Sequence, residues 1–329
     1  RKRVAEKFVV SESWILLLVH IFAFLSKMKK TKIENEGLLK DVLKETGAKY
    51  DYYSSIRLLH AQYKVINILL KTLPSPQEVI IECPYMVMGY VWAFHDRKIP
   101  VIEMQHGVLN RDHYAYCSCY HSNELYPDEI WCFGDDEYNY LTSKECHYCN
   151  NVEKTGLYFL EMTNRFFTKD IFTEDRKKYK KIVLVAGQRG YEQVMASFTD
   201  SVAQCNKEDL FIYVPRTTEE TVKICQDNVR YTPGVNIYEY MKWCDIHLTI
   251  SSTTAIECQY YHKPTVFYDY EGLGSKYYGD VLNDDNGIIY ISEPNEYMKA
   301  VNNIQMERIT FKECFTPNTV ENIKSLLNN

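Results

Sequence analysis

The sequence lacks most of what would mark a fibre, a disulfide scaffold or a membrane span. Glycine is scarce, with 13 residues in 329 against a usual share of ~7%. There is no internal repeat and no low-complexity tract. With 46% apolar and 25% charged residues, collagen, coiled coil and intrinsic disorder are excluded as descriptions of the whole chain. Cysteine numbers 11, well below the ~8–10% of a disulfide scaffold. The odd count and irregular spacing point to reduced thiols in a cytoplasmic protein. Basic residues do not exceed acidic ones, and the net charge of −6 disfavours nucleic acid as the main partner. The longest apolar run, WILLLVHIFAFL at 14–25, is too short for a bilayer, which takes about 20 residues. Lys27, Lys29 and Lys30 follow it where a cleaved signal would carry small residues. A buried helix is the leading reading. Contact with the inner membrane surface, aided by Arg1–Arg3 and those lysines, is the second. Also missing are G-x-S-x-G, a P-loop and H-E-x-x-H; the lack of an initiator Met is read as that of either a fragment or a trimmed chain. The 28 tyrosines are read as compositional bias.

What is present has a clear rhythm. Residues 1–73 are mostly helical, with apolar spacings of three and four in KIENEGLLKDVLKE and IRLLHAQYKVINILLKTL, until Pro74 and Pro76 intervene. Short β-branched runs then begin: VIIEC (79–83), VIEM (101–104), EIWCFG (129–134) and VEKTG (152–156). A polar stretch from Gly156 to about Tyr179 is taken as the linker region. The pattern restarts more cleanly with strands KIVLVAG (181–187), LFIYVP (210–215), IHLTIS (246–251), PTVFYD (264–269) and GIIYI (287–291). Helices are expected at Met86–His95, Glu192–Gln204, Glu219–Asp227, 254–262, Glu296–Asn303 and Asn318–Leu327. Buried strands alternating with helices predict an α/β protein of two Rossmann-like, doubly wound domains, the first abbreviated and helix-rich. The expected domains are 1–163 and 164–329. Ligands of such sheets bind at the carboxyl ends of the strands, which places the expected site in the cleft between the domains.

The densest stretch is LTISSTTAIECQYYHKPTVFYD (248–269). A buried strand delivers Ser251, Ser252, Thr253 and Thr254 to a helix start, where hydroxyls cap free N–H groups and the same N–H groups can hold an anion. Glu257 lies one turn further, placed to accept from ribose hydroxyls. A plain N-capped helix explains the same residues equally well. Gly187-Gln188-Arg189-Gly190 follows the first strand of this half but is not G-x-G-x-x-G. Arg216 follows Pro215 at the end of the next strand, either meeting a phosphate or lying in solvent.

Strand, S-S-T-x-A-x-E, helix and K-P-T-V-F together resemble the nucleotide-binding segment of GT-B-fold glycosyltransferases of bacterial surface polysaccharide synthesis. The resemblance implies phosphate contacts at Ser251, Ser252 and Thr253, with Thr254 beside them, and ribose binding at Glu257. Gln188, Arg189 and Arg216 would complete the donor site. Sialyl- and Kdo-type transferases resemble the 214–215 position with a His-Pro pair; Val214 stands in place of that histidine. Asn236–Tyr240 falls where the family packs the base.

In the first half, IPVIEMQHGVLNRDHYAY (99–116) runs a strand into Gln105-His106-Gly107. A histidine projecting from a strand end suits a general base for a sugar hydroxyl. This Q-H-G pattern resembles bacterial polysaccharide transferases and the H-G turn of teichoic-acid glycerophosphate polymerases. The resemblance implies His106 as base, with Asp112 and His113 as second candidates and Gln105, Gly107 and Tyr116 on the acceptor side. A hydrogen-bonded turn histidine is the structural alternative. Cys117, Cys119, Cys146 and Cys149 match no trusted zinc spacing and are read as thiols; Asp135–Glu137 reads as a helix start. No metal and no cofactor is expected, GT-B enzymes generally working without metal. The expected partners are a nucleotide-sugar donor and a glycan or lipid-linked glycan acceptor. The reading is therefore a glycosyltransferase, against a CDP-polyol phosphotransferase or a non-catalytic nucleotide-binding scaffold.

Overall fold

The computed structural model describes residues 12–26, 32–107, 109, 113, 115–116, 124–217 and 222–328. Arg1–Arg3, Lys27, Lys29, Lys30, Asp112, Cys117 and Cys119 lie outside the described residues. The chain divides into two units: residues 1–106, 114–131 and 141–153, and residues 107–113, 132–140 and 154–329.

The first unit opens with helices α1 (Glu12–Ser26), α2 (Glu36–Thr46) and α3 (Tyr52–Thr72). Strands β1 (Val79–Ile81), β2 (Val101–Met104), β3 (Glu129–Cys132) and β4 (Asn151–Lys154) form a sheet in that order, with α4 (Met88–His95) between β1 and β2 in the chain; α5 (Asp135–Leu141), which follows β3, groups with the second unit up to Tyr140. The β1–β2 and β2–β3 pairs are parallel. Gly89 lets α4 lie against α3, because a Cβ there would sit 2.2 Å from the Leu59 carbonyl oxygen.

The buried-helix expectation for residues 14–25 is corrected. Those residues do form α1, but only Val19 is buried, packed with Ala61 and Val65 of α3. Trp14 is 64% exposed and Phe24 66%, and Leu17, Ile21 and Leu25 are exposed with them. The run is apolar on nearly every face, whereas α3 can cover only one stripe of it.

The second unit holds six parallel strands in the order β10-β9-β8-β5-β6-β7. These are β5 (Ile182–Ala186), β6 (Leu210–Val214), β7 (Val229–Tyr231), β8 (Ile246–Thr249), β9 (Thr265–Tyr268) and β10 (Ile288–Ile291). Alternate residues of β5 enter two different cores. Val183 and Val185 pack with Met195, Phe198 and Val202 of α7 (Glu192–Cys205), and Ile182 and Leu184 pack with Met241 and Cys258. A sheet covered on both faces by helices is the doubly wound arrangement, and its strand order reverses between β5 and β8.

Two expectations fail here. Residues 222–227 are not helical, and the edge strand β7 follows them. The supposed linker contains helix α6 (Tyr158–Phe166), which packs against α8 (Ile237–Trp243) and the last helix, α10 (Thr319–Asn328). Leu160 and Thr163 are its buried stripe, too short a pattern to stand out among polar neighbours. The expected domain boundary at 163/164 falls inside α6.

Candidate functional site

The reversal of strand order in the second unit brings the carboxyl ends of β5 and β8 side by side, where chains leave for opposite faces. Gln188, just past β5, bridges them. Its Oε1 accepts from the Ser251 N–H at 3.0 Å and from Ser251 Oγ at 3.1 Å; Nε2 lies 2.9 Å from the same Oγ. Ser252 Oγ accepts from the Thr254 N–H at 3.3 Å, so Ser252 caps α9 (Thr254–Tyr260), and the Thr253 hydroxyl makes no cap bond. Thr254 is buried and its Oγ1 lies 2.9 Å from His247 Nε2, while His247 Nδ1 meets Thr265 Oγ1 at 3.1 Å. Burial holds the His247 imidazole down at about 3, so it is neutral between its two threonines. Ser251, Ser252 and Thr253 are half-exposed beside it.

Glu257 is buried at the next turn of α9 and accepts from the Tyr238 hydroxyl at 3.3 Å. Desolvation pushes its carboxyl up to about 7, opposed by the Tyr238 bond and by the positive charge of Arg216. Arg216 itself is exposed, as is Arg189. Tyr238 stands on α8, capped by Asn236, within the stretch expected to pack a base. Its ring stacks on Phe159 at 5.9 Å and 15°, and Phe159 is 55% exposed. Thus Gln188, Ser251, Ser252, Thr253, Arg216 and Glu257 gather around the ends of β5, β6 and β8. A cavity of about 650 Å³ lined by Asp284, Tyr290 and Arg308 opens elsewhere, near the amino end of β10. We place the site with the converging hydroxyls rather than there, because ligands of such sheets sit at carboxyl ends.

In the first unit, β2 leads directly into the Q-H-G turn. Gln105 is buried and its N–H bonds the Trp131 carbonyl at 3.1 Å. His106 is exposed, with Nε2 3.3 Å from the Tyr85 hydroxyl. Tyr116 is fully buried, and its hydroxyl donates to Glu103 Oε1. Tyr148 donates to the other oxygen. A sealed Tyr116 therefore holds Glu103 and presents no surface to an acceptor, contrary to its expected place. Glu103, wholly buried, is pushed up to about 7 by desolvation despite those two bonds. Gly107 and His113 group with the second unit; burial lowers the His113 pKa. Cys146 donates to the Tyr116 carbonyl. Among the described residues no group of three or more His, Cys, Asp or Glu is placed to hold a metal.

Sequence reasoning missed Glu103, Tyr85, Phe159 and Glu192. Tyr85, Phe159 and Glu192 stand in no motif, and Glu103, inside the 99–116 stretch, stands out only once Tyr116 and Tyr148 fold onto it.

No family model matches the sequence, and no curated protein matches it. Solved structures do. UDP-GlcNAc 2-epimerase from Neisseria meningitidis bound to UDP-GlcNAc is similar over 97% of this chain and 98% of its own, with a TM-score of 0.57 and 12% identity. The fold is GT-B-like. UDP-N-acetylglucosamine 2-epimerase from Rickettsia bellii gives 0.53 at 17% identity, over 97% of this chain and 93% of its own. The S. aureus MnaA–UDP co-structure gives 0.56 at 12% identity, over 82% and 79%.

Proposed function

We propose that the chain is an enzyme acting on a nucleotide sugar, with the second unit holding the nucleotide, and that it transfers the sugar to a glycan or lipid-linked glycan. The observation that carries this is the Gln188–Ser251 bridge at the β5/β8 reversal, beside an exposed arginine and a buried acid. Ser251, Ser252 and Thr253 meet the diphosphate, Arg216 and Arg189 supply positive charge, and Glu257 takes the ribose hydroxyls. Thr254 supports them through His247. In transfer, His106 removes the acceptor hydroxyl proton, the oxygen bonds to the anomeric carbon, and the C–O bond to the diphosphate breaks, releasing a nucleoside diphosphate. We assign no metal or cofactor a role.

Similarity to structures of UDP-GlcNAc 2-epimerases favours a second reading, epimerisation of a UDP-sugar. The product separates them: free nucleotide with a lengthened acceptor, or an isomeric UDP-sugar. CMP as the released nucleotide would instead indicate polyol-phosphate transfer.

The site itself is tested by thermal shift with UDP, GDP, CDP, CMP and dTDP on wild type and Glu257→Ala. One nucleotide at 100 times its Kd should stabilise wild type by about 2.7 kcal/mol, and the variant should lose most of that. If no nucleotide stabilises wild type, or the variant keeps the full shift, the donor site is misplaced.

We also propose that the exposed apolar surface of α1 rests on the inner face of an anionic membrane, as the adjoining basic residues of the sequence favour. Wild type should float with vesicles containing phosphatidylglycerol, and Leu17→Asp/Phe24→Asp should not. Equal flotation of both proteins refutes that contact.

A further inference from the structure

Glu192 opens α7 and is 0% exposed, yet the donor site as described gives it no task. Its carboxylate accepts from three donors. The Arg216 N–H reaches Oε1 at 2.6 Å and the Thr217 N–H at 3.1 Å, while the Tyr213 hydroxyl reaches Oε2 at 2.8 Å. Three donors to two oxygens are the hydrogen bonds a buried carboxylate needs to offset its lost hydration. Gly187 completes the arrangement. A Cβ there would lie 2.4 Å from Glu192 Oε2 and 3.0 Å from Pro215 Cα. One acidic side chain thus joins the turn after β5 to the turn after β6, and the second turn carries Arg216. Arg216 is exposed at that turn, and its positive charge acts against the desolvation of Glu257.

We infer that Glu192 is a positioning residue for nucleoside diphosphate binding: it fixes the Pro215–Arg216–Thr217 turn so that Arg216 meets the diphosphate, without touching the ligand itself. The inference rests on the nucleotide-binding reading of the second unit. Glutamine in its place keeps the volume, and Tyr213 can then donate to the residue's own backbone carbonyl at 2.9 Å, but the charge-assisted bonds to the Arg216 and Thr217 amides become weaker neutral ones, which loosens the turn.

The test is calorimetric titration with UDP, GDP and CDP on wild type, Glu192→Gln, Arg216→Ala and the double variant, with hydrogen exchange of the same proteins. Glu192→Gln should weaken the nucleotide that wild type binds by about tenfold, or about 1.4 kcal/mol. Arg216→Ala should weaken it to a similar degree, and the double variant should be no weaker than either, because both changes remove one interaction. The amides of Arg216 and Thr217 should exchange faster in Glu192→Gln and at the wild-type rate in Arg216→Ala. A folded Glu192→Gln with unchanged affinity, or losses that simply add, overturns the inference. Binding that disappears in Glu257→Ala yet survives in Glu192→Gln overturns it alone and leaves the donor site standing. A wild type that binds none of the three overturns both. Should Glu192→Gln fail to fold, exchange in unliganded wild type decides. Slow exchange of the two amides supports the role, and exchange at the unstructured rate refutes it.

Discussion

His106→Ala is expected to lower turnover by about 10²- to 10⁴-fold, the range for removing a positioned general base, while leaving nucleotide affinity within twofold. The geometry of the first unit supports this separation. β2 ends at Met104, Gln105 is fixed by its bond to Trp131, and the next side chain is exposed with one ring nitrogen 3.3 Å from the Tyr85 hydroxyl. The imidazole is thus both exposed and oriented by a hydroxyl, as the proposed role of general base requires. Tyr85→Phe removes the holding group but not the base, so it should cost far less, on the order of tenfold. The measurement is the steady-state rate with the nucleotide sugar selected by the thermal-shift screen, alongside titration of its nucleotide. Unchanged turnover in His106→Ala removes the histidine from the chemistry. A parallel fall in nucleotide affinity would make it a binding group.

What the sequence discloses depends on how far away a residue's partner lies. The buried strands of the second unit were legible because five consecutive buried residues in β5 and in β6 must be apolar whatever covers them. The hydroxyl cluster at 251–254 was legible for a similar reason, since a strand running into small polar residues and a helix is a local pattern. β7 was not, because its three residues Val229–Tyr231 form a half-exposed edge with no alternation to detect. Nor was α1, whose apolar run says that it needs covering but not that α3 covers only Val19. Tyr116 and Thr254 show the limit within the site. Sequence placed both among ligand contacts, yet each spends its hydroxyl on a buried partner on the preceding strand, Glu103 on β2 and His247 on β8, a pairing that no local pattern announces. Glu192 is the converse: an ordinary first-turn helix acid by sequence, and the junction of two loops in the fold.

Raising the pH should destabilise the first unit through Glu103, the reverse of the usual carboxylate behaviour. A paired surface acid has a lowered pKa and loses stability in acid; Glu103 is shifted the other way, from 4.5 to about 7. The native state then holds a proton that the unfolded chain releases above 4.5. Stability from this group is full below 4.5, falls as pH rises toward 7, and is flat beyond. The loss is about 3 kcal/mol on the scale of 1.36 kcal/mol per pH unit. Glu257 has the same sign in the second unit. His247 opposes both, because its pKa is depressed to about 3 and the unfolded chain takes up a proton below 6.5. Its contribution is present above 6.5 and is lost as pH falls toward 3. Wild-type curves sum these slopes, so the informative quantity is a difference between variants. Glu103→Gln removes the ionisation while its carbonyl still accepts from one of the two tyrosines. It should be less stable than wild type at pH 4.5 and should regain about 3 kcal/mol relative to wild type by pH 8, read from urea midpoints at constant m. A difference that does not change with pH would mean that Glu103 ionises normally, and that Tyr116 and Tyr148 hold a charged carboxylate.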